Sequence, residues 1–178
     1  ANDIDADGEF DTDTDHHKLA NWADKAGMDH NATQATVANQ PEIRSGQITG
    51  KPNLNVLVCD GNQSLSFPGI SQGRTFFWVL HRHAQSDMNA NFFGENGDLL
   101  WGSNRNASYS YVFSNTSSSQ ISNGSWMKNG SPSDNSFSES PLVVSLVTTG
   151  MASSNLIGKL GKYNNYFSGN IGEILVYD

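Results

Sequence analysis

Apolar residues in this chain fall into short runs separated by Gly, Asn, Ser and Pro. From Gln40-Pro41 onward the runs have the length and β-branched or aromatic content of strands. Leu54 to Cys59 reads as one strand and stops at Asp60-Gly61. Leu65 to Phe67 reads as a short second. Thr75 to His83 reads as a third, and its unbroken Phe76-Phe77-Trp78-Val79-Leu80 predicts burial on both faces. Leu99 to Trp101, Ser108 to Phe113, Leu142 to Thr149 and Gly172 to Tyr177 follow. Ser125 to Lys128 leads into Asn129-Gly130, a dipeptide that favours positive φ at both positions and so predicts a tight hairpin. Helix is scarce. Leu19, Trp22 and Ala23 have helical spacing before Gly27, which predicts a turn or two of helix over 18–26. Asn115 to Ser119 and Ser131 to Ser140 are polar and read as exposed loops. No internal repeat is visible. Many short strands at this spacing predict an all-β sandwich or jelly roll with one or two short helical turns.

Length adds that 178 residues suit one domain, 1–178, with a sizeable core. Charge narrows the partners. Eighteen acidic against ten basic residues give a net charge of −8, which argues against nucleic acid and anionic membrane surfaces. No apolar run approaches the length of a membrane-spanning helix. Cys59 is the only cysteine, so no internal disulfide can form. Its neighbours Val56, Leu57 and Val58 predict an inert core thiol rather than a nucleophile.

The acidity concentrates in residues 1–15. Asp3, Asp5 and Asp7 alternate, Gly8 follows, and Glu9, Asp11, Asp13 and Asp15 continue the run. Alternate carboxylates on a curling backbone can converge on one hard cation, and Gly permits the sharp turn that brings later oxygens round. The D-x-D-x-D-G spacing matches the first half of an EF-hand loop. The second half departs from it, because Thr14 stands where a bidentate Glu would close the loop. This spacing points to a Ca2+ loop of another class, with Asp3, Asp5, Asp7, Glu9, Asp11 and Asp13 as candidate ligands. A solvated acidic linker is the alternative.

A second polar, aromatic stretch runs from His81 to Tyr111. Asp87 and Asn89 offer further metal-ligating oxygens. Asp98, Asn104, Arg105, Asn106 and Tyr109 form the candidate ligand-binding set: a guanidinium grips a carboxylate through two parallel bonds, amides bind peptide backbone or sugar hydroxyls, and a ring stacks on a ligand. Ordinary turn chemistry accounts for the same Asn and Gly residues, and Arg105 could pair with Asp87 or Asp98. His81 and His83 share one strand face and would need a third ligand to hold zinc. Paired carboxylates for glycoside hydrolysis are missing: Glu9, Glu42, Glu95, Glu139 and Glu173 have no acidic neighbour two residues on within an expected strand. No G-x-S-x-G or H-E-x-x-H occurs, so no enzyme is expected.

Several blocks together resemble the bacterial LamG-like, concanavalin A-like jelly-roll modules. They are Asn21-Trp22-Ala23-Asp24-Lys25-Ala26-Gly27, Asn31-Ala32-Thr33-Gln34, Asn39-Gln40-Pro41, Ile48-Thr49-Gly50-Lys51-Pro52 and the closing run 167–178. Such modules sit in large secreted or surface proteins, and the chain is similar to the ligand-binding modules of calcium-dependent RTX adhesins. The resemblance implies an extracellular, monomeric module of a longer cell-adhesion or biofilm protein. It also implies Ca2+ as cofactor and the C-terminal peptide of a target protein as ligand. A lectin-like module that takes a glycan is the alternative. A jelly-roll hydrolase and a structural spacer are the remaining readings.

Overall fold

The computed structural model of the chain describes residues 17–48, 50, 52–83, 92–96, 101–105, 111–134, 136–137, 140–161 and 165–178; for 102–105, 111–117, 136–137, 160 and 165 it describes backbone alone. The strands, in chain order, are β1 (His17–Lys18), β2 (Asn21–Trp22), β3 (Ala32–Thr33), β4 (Glu42–Arg44), β5 (Val56–Asp60), β6 (Leu65–Arg82), β7 (Phe93–Gly94), β8 (Trp101–Arg105), β9 (Tyr111–Ser117), β10 (Ser125–Lys128), β11 (Ser131–Ser133), β12 (Ser136–Phe137), β13 (Leu142–Ile157), β14 (Lys159–Leu160), β15 (Asn165–Tyr166) and β16 (Ser168–Tyr177). The fold is all-β, and every described strand pair is antiparallel. The main sheet runs β1-β4-β5-β16-β6-β13-β10-β11, and a smaller one runs β12-β9-β8.

The spine is the β6–β13 ribbon. Leu142 to Val147 pair in regular register with Leu80 to Thr75; the register then shifts three times before Ile157 meets Leu65. The expected strands over 65–67 and 75–83 are therefore one long strand, bent at irregular positions. Thr148 holds the corner, its hydroxyl donating to the Arg74 or Gly150 carbonyl at 3.1 and 2.6 Å.

The apolar run in β6 is buried on one face, not two. Phe76, Trp78 and Leu80 are buried, whereas Phe77 is 36 % exposed and Val79 is half-buried. Alternation wins because, among the described residues, the main core cluster packs on this inner face. Phe92, Phe93, Trp101, Trp126 and Ile121 join it in one cluster. Trp78 is fully buried and its ring lies 5.2–6.4 Å from those of Phe76, Phe92, Phe93, Trp101 and Trp126. On the outer face, the register sets Leu175, Phe77, Ser145 and Met127 in one row.

Two local expectations resolve differently. Residues 18–26 do not form a helix: Lys18 and Asn21-Trp22 lie in strands, and Leu19 turns into the core. The Asp24 carboxylate accepts from the N–H groups of Ala26, Met28 and His30 at 2.8, 3.0 and 3.2 Å, which competes with helical bonding. Short helices lie instead at Val37–Asn39 and Ser119–Ser122. The polar stretches 115–119 and 131–140, expected as loops, contribute the end of β9 and the short strands β11 and β12. Pro132 sits in β11 at the end of the main sheet's strand order, where its missing N–H costs no ladder bond on the open side. The hairpin at Asn129-Gly130 forms as expected, with φ of 49° and 80° and Lys128 opposite Ser131.

Face assignment on β13 predicts unequal costs for neighbouring substitutions. Leu146→Ala, which empties a buried site, should cost about 2–5 kcal/mol. Val147→Thr, on the outer face, should change stability by about 0.5 kcal/mol or less. Urea unfolding of both variants measures this, and equal costs would contradict the burial pattern.

Candidate functional site

Most of the sequence-predicted site lies outside the described residues: Asp3, Asp5, Asp7, Glu9, Asp11, Asp13, Asp87, Asn89, Asp98, Asn106 and Tyr109. Asn104 and Arg105 are placed by backbone only, at the end of β8 opposite Val112 and Tyr111. The second half of β13 holds Gly94 to Asn96 and Trp101 in place. Asn155 Oδ1 accepts from the Asn96 N–H at 2.8 Å, and Ser153 Oγ donates to Glu95 Oε2 at 2.7 Å. The buried Ser154 hydroxyl donates to the Gly94 carbonyl at 2.6 Å. Trp101 Nε1 donates to the Ser153 carbonyl at 2.6 Å. A buried indole N–H needs such an acceptor, and this one fixes where β8 begins.

The best-defined polar constellation lies at the other end of β6. His81 and His83 share the outer face, as their alternation predicts, with rings 5.8 Å apart. Between them stands Asn170 on β16, opposite His81 in the ladder and only 1 % exposed. His83 Nε2 lies 3.1 Å from Asn170 Oδ1, and Asn170 Nδ2 lies 3.2 Å from His81 Nδ1. Nδ2 also donates to the Gln47 carbonyl at 3.5 Å. A carbonyl only accepts, so Gln47 sets the orientation of the amide. His83 Nε2 then donates, and His81 Nδ1 accepts. Zinc would need lone pairs on two rings at once. Here the His81 Nδ1 lone pair is already committed, and that ring carries its proton on Nε2. The pair therefore suits a hydrogen-bonded clamp better than a zinc site. Among the described residues, no group of three or more His, Cys, Asp or Glu could hold a metal ion.

Beside this cluster, β1, β4 and β5 carry a charged strip. Glu42 takes bonds from Arg44 and, at 3.0 Å, from Lys18. Burial alone would raise the Glu42 carboxyl, but the bonds from Arg44 and Lys18 outweigh it and hold it below the usual range. Arg44 also lies 3.9 Å from Asp60. Bonds from the backbone of Ala26 first, then His30 and Met28, hold the Asp24 carboxyl below its ordinary value. Cys59 is fully buried, and burial pushes its thiol up to about 12, which fits the inert reading.

Neither Asn170 nor Asp24 stands out in the sequence as a structural centre. The signal for Asn170 is a polar residue in an apolar strand, opposite two alternating histidines. The signal for Asp24 is an Asp followed by a Gly-containing turn, which invites side-chain-to-backbone bonding.

No family model, curated protein or solved structure matches the chain.

Two outcomes follow from these environments. Cys59 should resist a thiol reagent in the folded protein and react fully in denaturant; rapid labelling of native protein would contradict its burial. Asp24→Ala should lower Tm at pH 7. A carboxyl held low when folded stabilises above its unfolded pKa, and that stabilisation fades as pH falls through the folded value. The Tm gap between wild type and Asp24→Ala should therefore narrow below about pH 4.

Proposed function

We propose that the protein is a non-enzymatic, calcium-dependent ligand-binding module of an extracellular bacterial adhesin. The observation that carries this reading is the alternation of Asp3, Asp5 and Asp7 ahead of Gly8, with Glu9, Asp11 and Asp13 beyond. So dense a run of carboxylates repels itself without a cation, and millimolar extracellular Ca2+ suits weak sites of this kind. The antiparallel all-β architecture supports the scaffold part of the reading, a concanavalin A-like jelly roll that presents loops for binding. The lack of an acidic neighbour two residues from any Glu in an expected strand supports a binding role over hydrolysis.

The ligand is the free C-terminal carboxylate of a target peptide. Ca2+ held with help from Asp87 and Asn89 supplies the charge. Arg105, Asn104, Asn106, Asp98 and Tyr109 fix orientation. A glycan held through paired hydroxyls on the same ion is the second reading, since calcium serves either ligand.

Calcium should raise Tm by several degrees, because a ligand at a hundredfold excess over Kd adds about 2.7 kcal/mol. Asp5→Ala with Asp7→Ala should remove much of the shift. Identical melting in Ca2+ and EDTA would sink the calcium claim. For the ligand, a peptide array with free and amidated C-termini is decisive. Amidation should abolish binding, as should EDTA, and Arg105→Ala should weaken it with little change in Tm. Equal binding of both peptide forms would discard the carboxylate mechanism, and capture of a glycan instead would favour the lectin reading.

A further inference from the structure

A buried amide held between two imidazoles constrains where protons can sit. Asn170 has one acceptor oxygen and one donor nitrogen. The oxygen takes the His83 Nε2–H at 3.1 Å. The nitrogen serves His81 Nδ1 at 3.2 Å and the Gln47 carbonyl at 3.5 Å. A proton added to His81 must go to Nδ1. It would then face an N–H of Asn170, donor against donor. Turning the amide over does not help, because its oxygen would leave His83 and meet the Gln47 carbonyl. No orientation of Asn170 satisfies two protonated rings and Gln47 together.

The contacts span three parts of the fold: the end of β6, the start of β16 and the segment after β4. Next to Gln47, Ile48 packs with Val56 and Val58 in a small cluster separate from the main core. Val58 pairs with Asn170 directly. The amide therefore ties down the flap that covers this second cluster.

We propose that His81, Asn170 and Gln47 form an acid-sensitive latch, in which protonation of His81 Nδ1 breaks the Asn170 bond and loosens the Gln47–Ile48 flap from the sheet. Among the described residues, charged groups on the neighbouring strands are few. Asp60 on β5 lies opposite Ser168, whose carbonyl accepts from the His83 N–H. Glu42 and Arg44 on β4 and Lys18 on β1 are engaged with one another. Glu173 on β16 is displaced towards Val79 by the register shift after Ile171. Arg82 is buried on the inner face, opposite the latch. From Leu142 to Ile157, β13 carries no ionisable side chain.

The sign is fixed by linkage. With this latch, the folded chain takes up the proton less readily than the unfolded chain, because an Nδ1–H would face the Asn170 N–H; an ordinary unfolded His titrates near 6.5. Stability is therefore present above about pH 6.5 and is lost as pH falls. For one proton, Tm should drop by roughly 4–8 °C from pH 7.5 to pH 5.

Three variants of the whole chain test this by thermal melting at both pH values. His81→Asn keeps an acceptor near the Nδ1 position but cannot titrate, so its drop should be smaller than the wild type's by that amount. His83→Gln keeps the donor and leaves His81 in place, so it should retain the drop. Asn170→Asp offers a carboxylate to both rings and should reverse the trend. Imidazole 15N shifts of the wild-type protein give a second readout that does not depend on any variant folding. Both rings should be Nε2–H tautomers at pH 7.5, and amide protection at Gln47 and Ile48 should fall as His81 protonates. An equal drop in wild type and His81→Asn, or a His81 protonated at Nδ1 at pH 7.5, would overturn the latch. These readings are taken without Ca2+ or ligand, so they stand apart from the proposed adhesin function.

Discussion

The fold depends on the burial of Trp78 among other aromatic rings. Its strand neighbours fix its height in the sheet, but the residues that cover it come from distant segments: Phe92 and Phe93, Trp101 and Trp126. Each covering segment is short. A two-residue strand such as Phe93–Gly94 has too few ladder bonds to place itself, so it is placed by what its ring packs against. Aromatic side chains suit this task because each buries about 150–250 Å² with few rotatable bonds. Around this cluster, polar atoms of β13 then act as fine adjustment: Ser153, Ser154 and Asn155 accept or donate at the edges of the segments the rings have already docked.

A sheet with one covered face must send alternate residues outward, and the outer face differs along the sheet. Over β16, β6, β13 and β10 it is apolar and partly exposed, with Phe77, Val143, Val147, Leu175 and Tyr177. Over β1, β4 and β5 it is charged. Asn170 lies between the two regions and is buried under the flap after β4. A buried amide without partners would cost about 1–3 kcal/mol. His81, His83 and Gln47 supply those partners, so the histidines there have a structural reason to alternate whatever else they do.

Much of the β architecture was legible in the residues. The cores of β5, β6, β13 and β16 follow from runs such as Val56 to Cys59 and Leu142 to Thr149, and Asn129-Gly130 dictates its own turn through two positive φ angles. What was not legible depended on partners far along the chain. The continuous Phe76–Leu80 run could not reveal that only one face would be covered. Leu19, Trp22 and Ala23 have helical spacing, but their fate was decided by Asp24 taking three backbone N–H groups and by β4 pairing with β1. The candidate calcium and ligand residues stand out by residue type and spacing, a signal that reports chemistry without position. Asn104 and Arg105 at the end of β8 are the two whose backbone the fold locates. Asn170 shows the reverse case, a residue of ordinary type made important by position.

One irregularity lies just beyond Asn170 in β16. Between Ile171 and Glu173 the register of β16 against β6 slips, so Ile171 faces Leu80 while Glu173 faces Val79. Without the slip, Gly172 would face Val79 and Glu173 would fall opposite Trp78, placing a carboxylate in the aromatic core. With it, Ile171, Ile174 and Val176 all reach the core side, and Asn170, Glu173 and Leu175 all point outward. Gly172 is suited to the slip: a Cβ there would stand 3.1 Å from Val79 Cγ1. At Gly169 the fit is tighter still, since a Cβ would lie 2.5 Å from the His81 carbonyl oxygen. Two glycines thus bring β16 close to β6 on either side of Asn170. Gly172 lets the strand keep Glu173 out of the core, and Gly169 lets it lie close enough to β6 for one amide to meet two imidazoles.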